Sequence, residues 1–439
     1  MRRRRLWGIV ILIISVFLAW YIHTSLKVAT GYAAKYLCSH VLMAGLDEAV
    51  AKEGLSFFPM SYVSTRIDTV NRQVNASIVG VARQVAYNYK SGRLCGCTTG
   101  ARPQGLTEVE PAPTLKDTLR WPLGDLIPDN APGDSIAIKL QQIIDRHITE
   151  NSAFRAITVA RDTHTFLEAY GENITAETRL LGWSMSKSVV HALYGIMEGQ
   201  DRIHIEDKVP MKMWQNDERK NITYGDLLHM SSGLKWSENY FMWSDVTDML
   251  YLSEDIYRDV TDQSLSNPPG THWKYSSGTT NILSGSLRSQ LGADRSYHTF
   301  PYEALFDRIG MHSAIIETDP TGLYIMSSYI WATARDWTRF GLLYLNKGSL
   351  GVEQIFSEEW WLTAFTPTPN SDGLYGSHFW LNQIGMLENV PRDAFFANGF
   401  GGQRVLISPS ANVVITVLSS FQADSGFEEL YGEIFEVLE

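Results

Sequence analysis

The chain has 439 residues, 44% of them hydrophobic and 19% charged, a composition that suits a globular protein with a substantial core and a length that allows two or three domains. Its formal net charge of −11 argues against a general nucleic-acid binder, which needs a basic footprint. Twenty tyrosines, thirteen tryptophans and eighteen phenylalanines point to aromatic-rich surfaces or clefts.

The N-terminus departs from this average. Met1 is followed by four arginines and then by Leu6 to Ile22, an uncharged apolar run with Trp7, Trp20 and Tyr21 near its ends. The run is at the short end for a membrane span. Arginines stay cytoplasmic, which sends the rest of the chain to the periplasmic or extracellular side. A cleaved signal peptide is the rival, but Ala19-Trp20-Tyr21 is too bulky for a small-x-small cleavage site. A mitochondrial presequence fits less well, because the run is too apolar and poor in serine. An uncleaved, single-pass signal anchor over residues 1–30 is the favoured reading.

The next region, 31–133, reads as a small β-containing accessory segment and a linker. Val74–Ile78 and Arg83–Tyr89 alternate, Lys90–Arg93 has turn composition, and 101–133 carries many Pro, Gly and Asp residues. The cysteines are Cys38, Cys95 and Cys97, too few for a disulfide scaffold or a structural zinc site. Export would allow one disulfide from Cys38 to either Cys95 or Cys97; three free thiols is the alternative. Asn75, Asn173 and Asn221 begin N-x-S/T triplets, which matter only in a eukaryotic secretory host.

From residue 134 the pattern changes. Ile136, Leu140, Ile143 and Ile144 share a helical face. Strands follow over 154–162 and 165–170, separated by a turn at Asp162–His164. Ser184-Met185-Ser186-Lys187 then opens an amphipathic run through Val189, Leu193, Ile196 and Met197, with Gly199 as a stop. Serine three positions before lysine puts both side chains on one helical face. A serine hydroxyl becomes a good nucleophile only when a base takes its proton, and a buried lysine can lose its charge and be that base. The helix N-terminus favours developing negative charge. His191 shares that face and reads as a buried structural histidine, while Arg335 and Asp336 read as capping or pairing groups. A long, mostly helical stretch extends to about residue 345. Strands return at 404–407 and 413–417 around a Pro409–Asn412 turn, and a final helix has Ser425 and Glu428 at capping-box spacing.

Two later segments complete a constellation: Pro269-Gly270-Thr271-His272-Trp273-Lys274-Tyr275-Ser276-Ser277, and Asn398-Gly399-Phe400-Gly401-Gly402-Gln403 leading into a hairpin. The segments 223–234, 305–311 and 334–341 support them. In this order the motifs resemble the penicillin-recognising superfamily of SxxK serine hydrolases, nearest to the class C β-lactamase-like esterases and amidases of the 6-aminohexanoate-dimer hydrolase type. The resemblance covers roughly 134–439. It implies an α/β (α+β) fold, with an antiparallel β-sheet flanked by helices, an α-helical lobe, and a site at the lobe boundary.

The resemblance also implies roles. Ser184 is the nucleophile and Lys187 its proton acceptor. Tyr275 is the third member, with a phenol pKa lowered by the lysine. Backbone N–H groups of Ser184 and Gln403 bind the oxyanion, with Gly401 and Gly402 allowing close approach of substrate. Tyr240 sits in a loop similar to one that contacts substrate in 6-aminohexanoate-dimer hydrolases. Two positions depart from the β-lactamases: Phe400 replaces a lysine and Ser277 an asparagine, removing polar contacts that a β-lactam needs. The expectation is therefore a membrane-anchored esterase or amidase acting on a small ester or amide, with no cofactor, no metal and no nucleic-acid partner. A D-amino-acid or cell-wall peptidase, and a non-hydrolytic binding protein on the same scaffold, stay open.

Overall fold

A computed structural model describes residues 2–78, 80–113, 119–127, 134–162, 165–292, 294–420 and 426–439, with side chains from Leu6 onward. Helix α1 (Arg2–Leu37) leads without a break into a π-helical turn, Cys38–Met43. Its first half is apolar and exposed, and it is the one helix among the described residues long and apolar enough to cross a membrane. Its second half is core: Val28, Ala29, Ala33, Ala34 and Leu37 are buried. The expected boundary at residue 30 falls inside this helix.

Helix α2 (Glu48–Glu53) is capped by Asp47, whose carboxylate accepts from Ala49 and Val50 N–H groups. Then β1 (Ser64–Asp68), β2 (Gln73–Ile78), β3 (Ala82–Ser91) and β4 (Leu94–Thr99) form an antiparallel meander packed on α1. Alternation puts Val74, Ala76 and Ala86 inward. Cys38 is disulfide-bonded to Cys97, and Cys95 is free. Beside this bond lies a buried ion pair, Lys35 Nζ to Glu317 Oε2 at 3.0 Å. Glu317 also accepts from the Ser39 hydroxyl, the Cys97 N–H and the Trp331 indole. The stretch expected as a linker is docked where it is described. Trp121 stacks on Phe166 at 4.1 Å, and Arg339 donates to the Pro122 and Gly124 carbonyls.

The remaining chain builds two layers around a sheet. Helix α3 (Ser135–Glu150) precedes β5 (Phe154–Arg161) and β6 (Thr165–Tyr170), matching the expected strands; Thr163 and His164 of the expected turn lie outside the described residues. Short β7 (Leu180–Leu181) leads to α4 (Met185–Gly199). The helical lobe holds α5 (Tyr224–Leu228), α6 (Asp245–Tyr251), α7 (Ile256–Thr261), α8 (Ser277–Leu291) and α9 (Asp294–Pro301). Strand β9 (Ile330–Ala332) pairs with β7 on one side and with β8 (Ile315–Ile316) on the other. Helix α10 (Ala334–Leu345), the small hairpin β10 (Ser349–Leu350) and β11 (Glu353–Gln354), and α11 (Glu358–Phe365) follow. The chain closes with β12 (Trp380–Leu381), β13 (Phe395–Gly399), β14 (Gln403–Ser408), β15 (Val413–Ser419) and α12 (Phe427–Leu438).

The main sheet is antiparallel in the order β12-β13-β14-β15-β5-β6, so the first strands of this region close against the last. Both faces are covered. Ile157, Val159, Leu406 and Ile415 face α3 and α12, while Ala156, Ala160, Val405 and Val414 face the opposite core with α4 and α10. Inside that layer the hydroxyls of Thr158, Thr338 and Thr416 bond one another at 2.6 and 2.9 Å, satisfying buried polar groups. The expected capping box of the last helix rests on Ser425, so it cannot be followed in the structure. The N-cap is Gly426, at a φ of 99° that suits glycine, and Ser425 lies outside the described residues.

Candidate active site

The Ser184–Lys187 motif lies where β7 turns into α4. Trp183 adopts a left-handed φ of 47°, an unusual conformation for a bulky residue, and swings the chain into the helix. The turn is fixed by Ser186, whose hydroxyl donates to the Trp183 carbonyl at 2.6 Å and accepts from Ile330 N–H. Ser184 is the N-cap of α4, yet its side chain makes no capping bond. Lys187 Nζ instead donates to Ser184 Oγ at 2.9 Å. It also reaches Ser277 Oγ at 3.0 Å and the Ser327 carbonyl at 2.9 Å. Burial brings the Lys187 pKa down to about 8, against an opposing pull from Glu238. A cation in the first turn of a helix also opposes the helix dipole.

Tyr275 stands beside this pair, its phenol close enough for the Ser184 side chain to favour the phenolate. The ammonium of Lys187 lies 4.9 Å from its ring centroid. The expected lowering of the phenol pKa does not occur. Burial, and then the Glu238 carboxylate, push it up. Lys187, with a pKa of about 8, loses its charge before the phenol titrates and so does not offset those two effects.

Glu238 is the group the sequence reading missed. It lies in the loop before α6, and four donors converge on it: Ser277 N–H at 2.9 Å, Ser277 Oγ at 2.5 Å, Tyr240 Oη at 2.7 Å and the Trp236 indole. Because Ser277 opens α8, the carboxylate sits at a helix N-terminus. The signal was faint: an acidic residue two positions before Tyr240, in an otherwise ordinary polar loop. Ser277 therefore does not simply delete a polar contact, as its serine-for-asparagine exchange suggested. Its hydroxyl bridges Lys187 and Glu238.

The glycine segment forms the turn between β13 and β14. Gly401 and Gly402 have φ of 71° and 83°, and a Cβ on Gly402 would meet Ser419 Oγ and the Phe427 ring at 2.6 and 2.5 Å. Only glycine fits there. The Gln403 side chain ties this turn to β15, donating to the Ser419 carbonyl at 2.8 Å and accepting from Ser419 N–H at 3.0 Å. Phe400 stacks on Tyr240 at 5.5 Å and meets Trp183 edge-on at 5.6 Å. Ser184, Lys187, Tyr275 and Tyr240 thus form one connected cluster through Ser277 and Glu238, and Phe400 links the glycine turn to Tyr240.

The other singled-out residues lie elsewhere. His191 is buried, with ring nitrogens bonded to Tyr344 Oη and Thr363 Oγ1. Arg335 pairs with Glu168, and Asp336 with Arg339. Among the described residues no group of three or more His, Cys, Asp or Glu side chains could hold a metal ion.

The sequence profile of the family described as Beta-lactamase matches residues 142–439. The chain belongs to the Beta-lactamase family. No curated protein matches it in sequence. Among solved structures, this Beta-lactamase-family chain is similar to a candidate 6-aminohexanoate-dimer hydrolase from Bacillus anthracis, at 22% identity and a TM-score of 0.55, covering 66% of this chain and 80% of that one. It is also similar to a family VIII carboxylesterase, at 15% identity and a TM-score of 0.55, over 70% of this chain and 98% of that one. A penicillin-binding protein homologue from Caulobacter crescentus matches at 14% identity and a TM-score of 0.55, with 70% and 98% covered. At such identities the likeness is one of fold. The family match makes the chain a β-lactamase-like hydrolase, and the neighbours share its fold.

Proposed function

We propose that the protein is a membrane-anchored serine hydrolase that cleaves an ester or amide through an acyl-enzyme on Ser184. The observation that carries this reading is the 2.9 Å contact between Lys187 Nζ and Ser184 Oγ, together with a lysine pKa of about 8. Neutral Lys187 takes the Ser184 proton as the oxygen attacks the carbonyl. The oxyanion is held by the N–H groups of Ser184 and Gln403 beside the glycine turn. Collapse expels the alcohol or amine, which receives the proton from Lys187 through the Tyr275 hydroxyl. Water then attacks the acyl group by the reverse relay and releases the acid and free Ser184.

Phe400 and Glu238 argue on the substrate. Neither can pair with a carboxylate, and the field of Glu238 repels one. β-Lactams and peptides ending in a free carboxylate are therefore disfavoured. Export of the catalytic region accords with the Cys38–Cys97 disulfide, a bond typical of oxidising compartments. The Arg-rich end then stays cytoplasmic.

Intact-protein mass spectrometry tests the reading. Detergent-solubilised protein is incubated with a small fluorophosphonate and with p-nitrophenyl acetate, beside Ser184→Ala. One adduct per chain, lost in the variant together with turnover, is expected. A folded wild type that neither labels nor turns over would refute it.

A further inference from the structure

A cavity of about 380 Å³ lies between α1 and the active site. That is within the size range of small-molecule sites. On the side of the active site it is lined by Trp183, the residue before Ser184, by Tyr240 and by Phe400. Its long wall is α1, contributing Ile22, Leu26 and Ala29. A third side is the loop carrying Phe58, Pro59 and Met60. The lining is almost wholly apolar, although the chemistry on the side of the active site is polar.

The cavity adjoins the end of the apolar half of α1, where Ile22 lines it. Leu6 to Ile22, at 1.5 Å per residue, measures about 25 Å. That nearly fills a hydrocarbon core of about 30 Å, which sets Ile22 near the bilayer boundary. The surroundings match such a boundary. Phe58 and Phe241 are each 80% exposed, which is costly for phenylalanine in water. Trp20 and Tyr21 meet Trp243 edge-on at 4.9 and 5.9 Å, an aromatic group of the kind found at membrane interfaces. The Trp243 N–H donates to the Ser25 hydroxyl, so the loop that carries Tyr240 is fastened to the helix.

We propose that this cavity holds the hydrocarbon chain of a membrane-resident ester or amide, which reaches Ser184 from the bilayer. The inference rests on the serine-hydrolase reading above and replaces its small substrate with an amphiphile. The cleaved bond is the ester or amide C–O or C–N bond. Ser184 Oγ forms the new bond to the acyl carbon, the alcohol or amine leaves with the proton, and water completes hydrolysis. The acyl chain lies along α1, between Leu26 and Phe58. An unbound chain in the bilayer needs no transfer through water to enter.

The test uses the full-length protein in nonionic-detergent micelles with p-nitrophenyl esters from acetate to palmitate. A chain that enters the cavity raises kcat/KM by up to about fourfold per added methylene, until the cavity is full. Leu26→Trp and Ala29→Leu narrow the cavity at two depths. Each is expected to cut the ratio of long-chain to acetate kcat/KM at least tenfold and to shift the optimum to shorter chains. Labelling of Ser184 by a small fluorophosphonate reports the folded site in every variant. A wild type that labels and cleaves acetate but shows no gain with chain length overturns the proposal while leaving the hydrolase reading intact. So does a chain-length gain unchanged in both variants when both label normally. Absence of both labelling and ester turnover in the wild type overturns the two together.

Discussion

Lys187 is the residue on which the proposed chemistry turns, and its environment makes a pH dependence. Below pH 8 the amine is protonated and cannot accept the Ser184 proton, so kcat/KM rises about tenfold per pH unit and levels off above pH 8. Glu238 holds that lysine pKa up, because a nearby carboxylate favours the ammonium. Glu238→Gln removes the charge and keeps a hydrogen-bonding group of the same shape. The inflection should then move below pH 8, as read from kcat/KM profiles of an activated ester. An unmoved inflection would mean that Lys187 is not the group titrating. The Ser184–Lys187 pair was legible in sequence because helical spacing alone makes i and i+3 neighbours. Glu238 was not, because its place depends on a loop folding onto the first turn of α8, and no local periodicity encodes that. The structure sets Tyr275 beside Ser184, but its titration depends on burial and on Glu238, neither visible in a linear motif.

Among the elements, strands β5, β6, β14 and β15 were readable from alternation, turn residues and length. The second half of α1 was not, because an apolar run reads the same whether it enters lipid or protein. What distinguishes it is tertiary: Lys35 inside that helix meets Glu317 in the catalytic region. The disulfide partner needed the same information. Cys95 and Cys97 are two residues apart on one strand and share a face, so only the docking of α1 selects Cys97. The buried pair should be sensitive to loss of one partner. Lys35→Met leaves Glu317 buried without its cation and should destabilise the fold by about 3–5 kcal/mol. Guanidinium unfolding of the detergent-solubilised protein followed by tryptophan fluorescence measures it. A loss under about 1 kcal/mol would show that the Ser39, Cys97 and Trp331 donors suffice for Glu317.

At the scale of the whole molecule, residues 28–109 and the catalytic region share one hydrophobic core, in which Val28, Leu37, Val74 and Leu94 pack with Trp183, Tyr251 and Trp331. Truncation should reveal where independence ends. Removing residues 1–21 deletes the arginine run and the exposed apolar half of the helix, with the Trp20 and Tyr21 contacts to Trp243, but none of the helix's buried residues, and should give a water-soluble, folded protein with the disulfide intact. Removing 1–37 deletes Lys35 and six buried apolar residues, Val28, Ala29, Tyr32, Ala33, Ala34 and Leu37, and should give aggregated or protease-sensitive material. Limited proteolysis and size-exclusion chromatography distinguish the two, and equal behaviour would mean that the second half of α1 is dispensable.

Because α1 runs unbroken from its apolar half into that core, the protein has no tether in the usual sense. A flexible leash would let a catalytic head sample a hemisphere of solution at a radius set by linker length. Here the reach is nil and the heading is fixed by one rigid rod. Under the proposed anchoring and membrane-resident substrate, encounter becomes a search by lateral diffusion in two dimensions. Turnover in vesicles should then scale with the surface density of substrate in the membrane, rather than with its concentration per volume of suspension.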